Sequence, residues 1–393
     1  MIYREKIQAA LESRRTDFAF FRDELRAQLS DHHSAAQRIA SISRDELIAR
    51  LAAVESPGAV PTEEFFAARS LVIPFDCSWT SHEEARAWAY ETLLGRTTFA
   101  ADGSQILPTK DFSVPVAAVQ VGWFENSHAP GGRYVKDAAF ELLTPAEILV
   151  RGAGEPSEQA VHRRRYALEA AAIRNYMNTT AARGFDPARP PVVFFDSLLV
   201  ISFAELLPDD QRRFYVSEIL ALLETSRQTN IPLIGYIDTS FARDLVRMLE
   251  VTFDLAASER NYDAMLIASQ MKWGDRTPVF RCARRGILDD YGADWRDRVG
   301  FVYLKTVSDA PPSRIDLPLW VYERGLLDYV IDTVRGEVVV GNGYPYVIET
   351  ADATAVLTTR DREMFYALFQ EFAEREHLDL RMARKMISKA RRR

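Results

Sequence analysis

The segment TTFAADGSQ, residues 97–105, contains a short apolar run that ends in an acid and is followed at once by a glycine. Such a run predicts a buried strand that presents the carboxylate of Asp102 at its end. Two later segments repeat this pattern, VVFFDS at 192–197 and LIGYIDTS at 233–240. The sequence therefore predicts three strand-terminal aspartates at one edge of a sheet, and acids gathered in this way indicate a divalent metal.

The order of the predicted elements around these acids is β-β-β-α-β-α-β-α. The strands fall at 97–102, 114–124, 136–143, 191–196 and 231–238, with helices at 156–183, at 209–228 and from about Ser240. Three consecutive strands followed by alternation predict an antiparallel meander continued by parallel strands. This is the order of the ribonuclease H-like fold. We therefore predict an α/β protein with a ribonuclease H-like mixed five-stranded sheet core flanked by helices.

The rest of the chain is predicted to extend this core at both ends. Residues 1–95 form a helical N-terminal region, 96–255 the core, and 256–393 an α/β portion that completes the active site. In that last portion we predict strands at 278–283, 300–305 and 336–340, and helices at 319–333 and 359–377. The final residues, Arg381 to Arg393, are strongly basic; a solvated helix end and a contact with nucleic acid or a partner are both open.

Composition restricts the kind of site this chain can form. The 393 residues carry a net charge of −7 and only two cysteines, and no histidine pair has metal-ligand spacing. Oxygen ligands are then left to bind any metal, which favours Mg²⁺ or Mn²⁺ over zinc. No apolar run reaches the roughly 18 residues of a membrane span, and the N-terminus does not resemble a signal peptide. We expect a cytoplasmic protein with no membrane contact, and its acidity does not exclude a local basic channel for DNA.

The three strand-end acids have structural alternatives. Asp102 precedes a glycine and could be a turn residue. Asp196 and Asp238 could each be the N-cap of a following helix. Capping and metal binding do not exclude each other, and we predict Asp102 and Asp196 as ligands and Asp238 in a supporting position.

Two helical acids complete the predicted site. Glu169 lies among small residues of the predicted helix 156–183, and the order of elements makes it a candidate ligand, although most helical glutamates are simply solvated. Glu141, at the end of the third predicted strand, is the alternative to Glu169. Glu349 and Asp352 are three residues apart and would share a helix face, so they could also be an ordinary acidic surface pair. One acid of this pair could supply a late ligand to the site.

Carboxylates from Asp102, Glu169, Asp196 and a late acid could hold two cations about 3.5–4 Å apart. One cation would lower the pKa of a water molecule that attacks phosphorus, and the other would stabilise the leaving oxygen. Cationic side chains must flank such a site to attract phosphate. The candidates for DNA contact are Arg165, Arg281, Lys305 and Arg314, although each could equally be ordinary surface charge.

These motifs resemble the NurA nuclease family over residues 97 to about 360. The similar segments are Asp-Gly-Ser from Asp102, the helix with Arg165 and Glu169, Phe-Asp-Ser-Leu around Asp196, residues 236–240, Arg-Ile-Asp-Leu-Pro at 314–318 and Gly-Tyr-Pro-Tyr at 343–346. The resemblance implies Asp352 as the late ligand, with Glu349 as its support. Some family members carry a histidine after the Gly-Tyr-Pro-Tyr motif, where this chain has Asp352. An aspartate can still bind metal but cannot act as an imidazole.

The resemblance implies a homodimer with a central DNA channel and a Mn²⁺-dependent nuclease. Its expected activities are 5′→3′ exonuclease on single- and double-stranded DNA and endonuclease on single strands. It also implies HerA, a hexameric ATPase, as partner in DNA end resection and homologous recombination repair. The chain has no GxxxxGK[ST] loop of its own, which agrees with an outside motor. One alternative is a non-catalytic DNA-binding or motor-docking subunit, and another is a nuclease whose substrate is RNA or a branched junction.

Overall fold

The computed structural model describes residues 3–110, 112–132, 134–149, 155–378 and 380, and for residues 25–28 it describes the backbone alone. The basic tail from Arg381 to Arg393 lies outside the described residues, so its role stays a prediction. Within the described part of the chain, no helix has the length and apolar character needed to span a membrane.

The helices of the described residues are α1 (Arg4–Ser13), α2 (Arg15–Arg38), α3 (Arg44–Ala52), α4 (Glu63–Ala68), α5 (His82–Leu93), α6 (Pro145–Ile148), α7 (Glu158–Arg183), α8 (Asp209–Thr229), α9 (Asp244–Phe253), α10 (Asp263–Ala268), α11 (Gly292–Trp295), α12 (Leu319–Glu323), α13 (Leu327–Val340), α14 (Tyr346–Ala355) and α15 (Thr359–Arg375). The strands are β1 (Gly58–Pro61), β2 (Thr98–Ile106), β3 (Ala117–Asn126), β4 (Val135–Leu143), β5 (Val192–Phe195), β6 (Leu233–Ile237), β7 (Phe280–Ala283), β8 (Val299–Leu304) and β9 (Ser313–Pro318).

The chain folds into two compact units, each built from two separate stretches of sequence. Unit 1 comprises Met1–Ser78 and Tyr236–Tyr322, and unit 2 comprises Trp79–Gly235 and Glu323–Arg393. Strand β6 carries the chain from unit 2 into unit 1. The two units interleave along the chain, whereas the three predicted regions, 1–95, 96–255 and 256–393, follow one another in sequence. The division into three regions stays a prediction.

Unit 2 holds the predicted five-stranded mixed sheet, in the order β6-β5-β2-β3-β4. Strands β2, β3 and β4 form an antiparallel meander. Strand β5 pairs in parallel with β2 on one side and with β6 on the other. All four residues of β5 are buried, as expected for a parallel strand that is covered on both faces. The ribonuclease H-like α/β core predicted from the sequence is thus confirmed.

Helices α7 and α14 cover opposite faces of this sheet. Gly122 of β3 lies so close to α14 that a Cβ atom there would be 2.5 Å from the backbone nitrogen of Ala355. Asp102 is the cross-strand partner of Gly122, so its side chain lies on the α14 face. The next residue, Gly103, faces the other way, because successive residues of a strand alternate between its faces. A Cβ atom on Gly103 would be 2.7 Å from Cγ of Arg165 on α7.

Unit 1 contains its own antiparallel strands, in the order β1-β7-β8-β9. The predicted strands at 278–283 and 300–305 correspond to β7 and β8. Strand β9 was not predicted, because its sequence SRIDLP contains the charged residues Arg314 and Asp316, and charged residues usually lie at the surface. In the structure both side chains are buried. These two side chains are ion-paired, with 2.7 Å between Arg314 Nε and Asp316 Oδ1. The pairing lets a charged segment lie inside the protein.

The predicted strand at 336–340 is wrong, and the predicted helix 319–333 is in fact two helices, α12 and α13. The run Val338-Val339-Val340 favours a strand by its β-branched residues. However, Ile331, Val334 and Val338 recur at helical spacing and are buried. Tertiary packing therefore overrides the local preference, and these residues form the end of α13.

Candidate metal centre

Asp102 lies inside β2 rather than at its end, because β2 continues to Ile106. The prediction of a strand that stops at Asp102 is therefore wrong. The last parallel pair between β2 and β5 is Ala100 with Phe194. Asp102 and Asp196 each follow this pair by two residues, so both stand where β2 and β5 separate. The two carboxylates are brought to the same place by register, not by strand termination.

The carboxyl group of Asp102 lies beside that of Asp352 on α14. Burial raises the pKa of Asp102 to about 6, and sharing of a proton with Asp352 and the negative charges of Asp352 and Asp196 raise it further. The backbone N–H of Gly103 donates to Asp102 Oδ1 at 2.7 Å and opposes this shift. Asp352 was placed at the site by resemblance alone, and the structure puts it beside Asp102.

Glu169 lies on α7 and is only 5% exposed. Its pKa is raised to about 8, first by burial and then by the negative charges of Asp102 and Asp196. Arg165, one turn earlier on α7, opposes the shift, with 3.5 Å between its Nη1 and Glu169 Oε2. Because Gly103 has no side chain, Glu169 Oε2 approaches to 3.3 Å of the position its Cβ would occupy. Glycine after Asp102 is thus needed for close approach and not for a turn.

Asp196 follows β5 at a solvent-exposed position, and Tyr344 holds it by a hydrogen bond. The Tyr344 hydroxyl donates to Asp196 Oδ1 at 2.9 Å. Partial loss of hydrating water raises the pKa of Asp196, the Tyr344 hydrogen bond lowers it, and the charge of Asp352 raises it. Tyr344 lies in the Gly-Tyr-Pro-Tyr segment, but no role was predicted for it, because 148 residues separate it from Asp196 along the chain.

A buried glutamate, Glu337 on α13, ties together the two elements that carry Asp102 and Asp352. The hydroxyl of Thr98, at the start of β2, donates to Glu337 Oε1 at 2.8 Å. The backbone N–H of Val347, at the start of α14, donates to Glu337 Oε2 at 2.9 Å. Burial raises the pKa of Glu337 to about 7. The role of Glu337 was not predicted, because the sequence around an acid in an apolar run does not indicate which residues that acid contacts.

The two predicted supporting acids belong to different units of the chain. Glu349 is exposed on α14, one turn before Asp352. Asp238 belongs to unit 1, where it accepts a hydrogen bond from the Ser313 hydroxyl at 3.3 Å. The supporting roles of Glu349 and Asp238 stay predictions.

Arg165 is the predicted DNA-contacting cation that stands within the acidic site. It is partly exposed beside Glu169, and its Nη1 donates to the carbonyl of Gly103 at 3.0 Å. The charged end of Arg165 is therefore held next to the acids by both a backbone and a carboxylate acceptor.

The other cations predicted to contact DNA belong to unit 1 and differ in accessibility. Arg281 is partly exposed and ion-paired with Asp297. Lys305 is 5% exposed and Arg314 is fully buried. A guanidinium without solvent access cannot reach a phosphate, so we do not retain Arg314 among the residues proposed to contact DNA.

The acids Asp102, Glu169, Asp196 and Asp352 suit a hard divalent cation by their chemistry. Carboxylate oxygens are the ligands that Mg²⁺ and Mn²⁺ prefer, and mutual repulsion contributes to the raised pKa values of Asp102 and Glu169. In the part of the chain that the structure describes, no group of three or more acidic, histidine or cysteine side chains is already arranged to hold a metal ion. The four acids fit such an ion in donor type and charge.

Comparisons with known proteins agree with this fold. The family model described as NurA domain matches residues 96–357. A search of curated proteins found no match. The crystal structure of the NurA nuclease from Sulfolobus solfataricus is 12% identical, covers 95% of this chain and 98% of that chain, and has a TM-score of 0.53. A crystal structure of NurA with manganese is 9% identical, covers 70% of this chain and 89% of that chain, and has a TM-score of 0.41. At these identities the likeness shows the fold alone, whereas the family model covers most of the chain. The chain belongs to the NurA domain family.

Proposed function

We propose that this protein is a metal-dependent deoxyribonuclease that hydrolyses phosphodiester bonds. The observation that carries the proposal is the meeting of Asp102, Glu169, Asp196 and Asp352 in unit 2, from elements that lie far apart in sequence. The negative charges of neighbouring acids raise the pKa values of Asp102 and Glu169, and groups with pKa values perturbed in this way concentrate at functional sites.

The same four acids are the residues proposed to hold Mn²⁺ or Mg²⁺, with two ions per site. The ions would supply charge neutralisation and an activated water for attack on phosphorus. Asp102 is the central residue, because both Asp196 and Asp352 affect its pKa. The choice of ion rests on the oxygen donors of this chain, which suit these two cations.

Tyr344 and Arg165 are proposed to prepare the site for substrate. Tyr344 fixes the direction of the Asp196 carboxylate through its hydrogen bond. Arg165 balances the negative charge of Glu169, and its side chain is partly exposed. An accessible guanidinium beside an acidic site is suited to contact a phosphate. Arg281 and Lys305 stay proposed DNA contacts on charge alone.

We further propose the finer properties that the family resemblance implies. These are 5′→3′ exonuclease activity on single- and double-stranded DNA and endonuclease activity on single strands. They also include a homodimer that acts with a HerA-type ATPase in end resection and homologous recombination repair in the cytoplasm. Asp238 and Glu349 are proposed in supporting positions, and the basic tail Arg381–Arg393 in partner or DNA contacts.

The test is digestion of 5′-labelled DNA by the purified full chain in Mn²⁺, Mg²⁺ and EDTA. We expect cleavage in either metal, no cleavage in EDTA, and a loss of at least about a hundredfold in Asp102→Asn, because metal ligands contribute several kcal/mol. Asp137→Asn is the matched control, since Asp137 is exposed on β4. Equal cleavage by Asp102→Asn and wild type would refute the proposal. Binding of DNA without cleavage in any divalent ion would instead favour the non-catalytic alternative.

A further inference from the structure

The C-terminal end of α14 lies over two polar side chains of the sheet, those of Ser104 on β2 and Gln120 on β3. Ser104 follows Asp102 by two residues, so both lie on the face of β2 that α14 covers. Gln120 is the cross-strand partner of Ser104 and projects to the same side. Both polar side chains are therefore placed to contact the helix that carries Asp352.

Gln120 supplies hydrogen-bond donors to the last turn of α14. The last four carbonyl groups of an α-helix have no partner within the helix. Nε2 of Gln120 lies 3.1 Å from the carbonyl oxygen of Ala355 and 3.4 Å from that of Thr354, the two final residues of α14. The side chain of Gln120 thus caps this helix from the strand beneath it.

Ser104 holds the chain directly after α14. The backbone N–H of Leu357 donates to Oγ of Ser104 at 3.3 Å. The Leu357 side chain is buried in one cluster with Ile106 of β2 and Ala118 of β3. The exit from α14 is therefore fixed to the same two strands that carry Ser104 and Gln120.

These contacts bear on Asp352, because it lies within one turn of the capped residues. Hydrogen bonds to the end of a helix fix its position along the sheet and its rotation about its own axis. Gly122, by contrast, allows α14 to approach closely but has no side chain that could fix its register. Metal ligands must be held to within about 0.5 Å of the productive geometry, so a small shift of α14 would misplace Asp352.

We propose that Gln120, supported by Ser104, is a positioning residue that keeps the Asp352 carboxylate beside that of Asp102. This role rests on the metal site of the proposed function and deepens it. Gln120 acts through the backbone of α14, and it affects metal binding only through Asp352. Groups that orient metal ligands typically change metal affinity about 10- to 100-fold when they are replaced, and an indirect contact falls at the lower end.

The test is calorimetric titration of the full chain with manganese chloride. Gln120→Met keeps the length of the side chain and removes its donors, so the affinity for Mn²⁺ should fall at least about fivefold. Gln228→Met is the matched control, because Gln228 is exposed on α8 and its donor serves Glu224. Its affinity for Mn²⁺ should stay within about twofold of wild type, as expected for a surface substitution.

The same change in an Asp352→Asn background separates positioning from a general loss of structure. If Gln120 acts through Asp352, Gln120→Met should alter the Mn²⁺ affinity by less than about twofold once that carboxylate is absent. A general loosening of the site would instead weaken Mn²⁺ binding in both backgrounds. Hydrogen exchange of the Leu357 amide reports on the end of α14 without metal, and it should be faster in Gln120→Met.

Five outcomes would overturn the proposal. They are no Mn²⁺ binding by wild type, equal Mn²⁺ affinity of Gln120→Met and wild type, unchanged affinity in Asp352→Asn, an undiminished effect of Gln120→Met in that background, or unaltered exchange of the Leu357 amide. None of these measurements uses DNA cleavage. A wild type that binds Mn²⁺ and shows the expected coupling but cleaves no DNA would refute the nuclease proposal alone.

Discussion

Replacing Glu337 by glutamine should change the pH dependence of stability in a definite direction. Burial raises the pKa of Glu337 to about 7, against an ordinary value of 4.5. The folded protein therefore holds a proton that the unfolded chain releases between pH 4.5 and about 7. The stabilisation by this proton is complete below pH 4.5 and is lost as the pH rises through about 7. Glutamine cannot ionise, so this contribution to the pH dependence of the unfolding free energy is absent in the variant.

The magnitude follows from the two pKa values. The difference between 4.5 and about 7 corresponds to about 3 kcal/mol, at about 1.4 kcal/mol for each pH unit. Relative to wild type, Glu337→Gln should therefore gain about 2–3 kcal/mol in unfolding free energy between pH 5 and pH 8. His128 faces the same carboxylate, with 3.4 Å between its Nε2 and Glu337 Oε1. Burial lowers the pKa of His128 below its ordinary value, which disfavours the charged form of its ring.

The assay is urea unfolding of wild type and variant from pH 5 to pH 8, without added metal. Hydrogen exchange of the Val347 amide, which donates to Glu337, gives a local readout that does not depend on two-state unfolding. Glu371→Gln, an exposed change on α15, should leave the pH dependence of wild type unaltered. Parallel pH curves for wild type and Glu337→Gln would contradict the reasoning.

Three further predictions concern packing, positioning and buried charge. Gly122→Ala should lower the unfolding free energy by about 1–3 kcal/mol in urea titrations, because the new Cβ meets the backbone of α14. Tyr344→Phe should weaken Mn²⁺ binding about tenfold by calorimetry, without change in circular dichroism, because Asp196 loses its hydrogen bond. Arg314→Leu should lower the unfolding free energy by about 3–5 kcal/mol, because Asp244 and Asp316 lose their buried partner. Arg281 is more exposed, so Arg281→Gln should lower the unfolding free energy by about 1 kcal/mol or less. Similar losses in Arg314→Leu and Arg281→Gln would contradict this prediction.

The sheet and two of its acids were predictable from local pattern. Apolar runs of strand length and the order of strands and helices are local properties, and they predict the five-stranded core and the presence of Asp102 and Asp196 in it. Glu169 and Asp352 came from the order of elements and the family resemblance, because a helical acid looks the same in the sequence whether it is solvated or buried.

The amino-acid pattern alone is enough to predict the ribonuclease H-like order, an acid in β2 and a ligand chemistry limited to oxygen. Only the folded chain establishes that Asp102 lies within a continuing strand, that Glu337 and Tyr344 hold the site, and that Arg314 is buried. It also places Val338 and its neighbours in a helix. The cause is that pKa, burial and partner choice depend on groups that are distant along the chain: 239 residues separate Glu337 from Thr98, and 148 separate Tyr344 from Asp196. The local sequence pattern gives no information about such contacts.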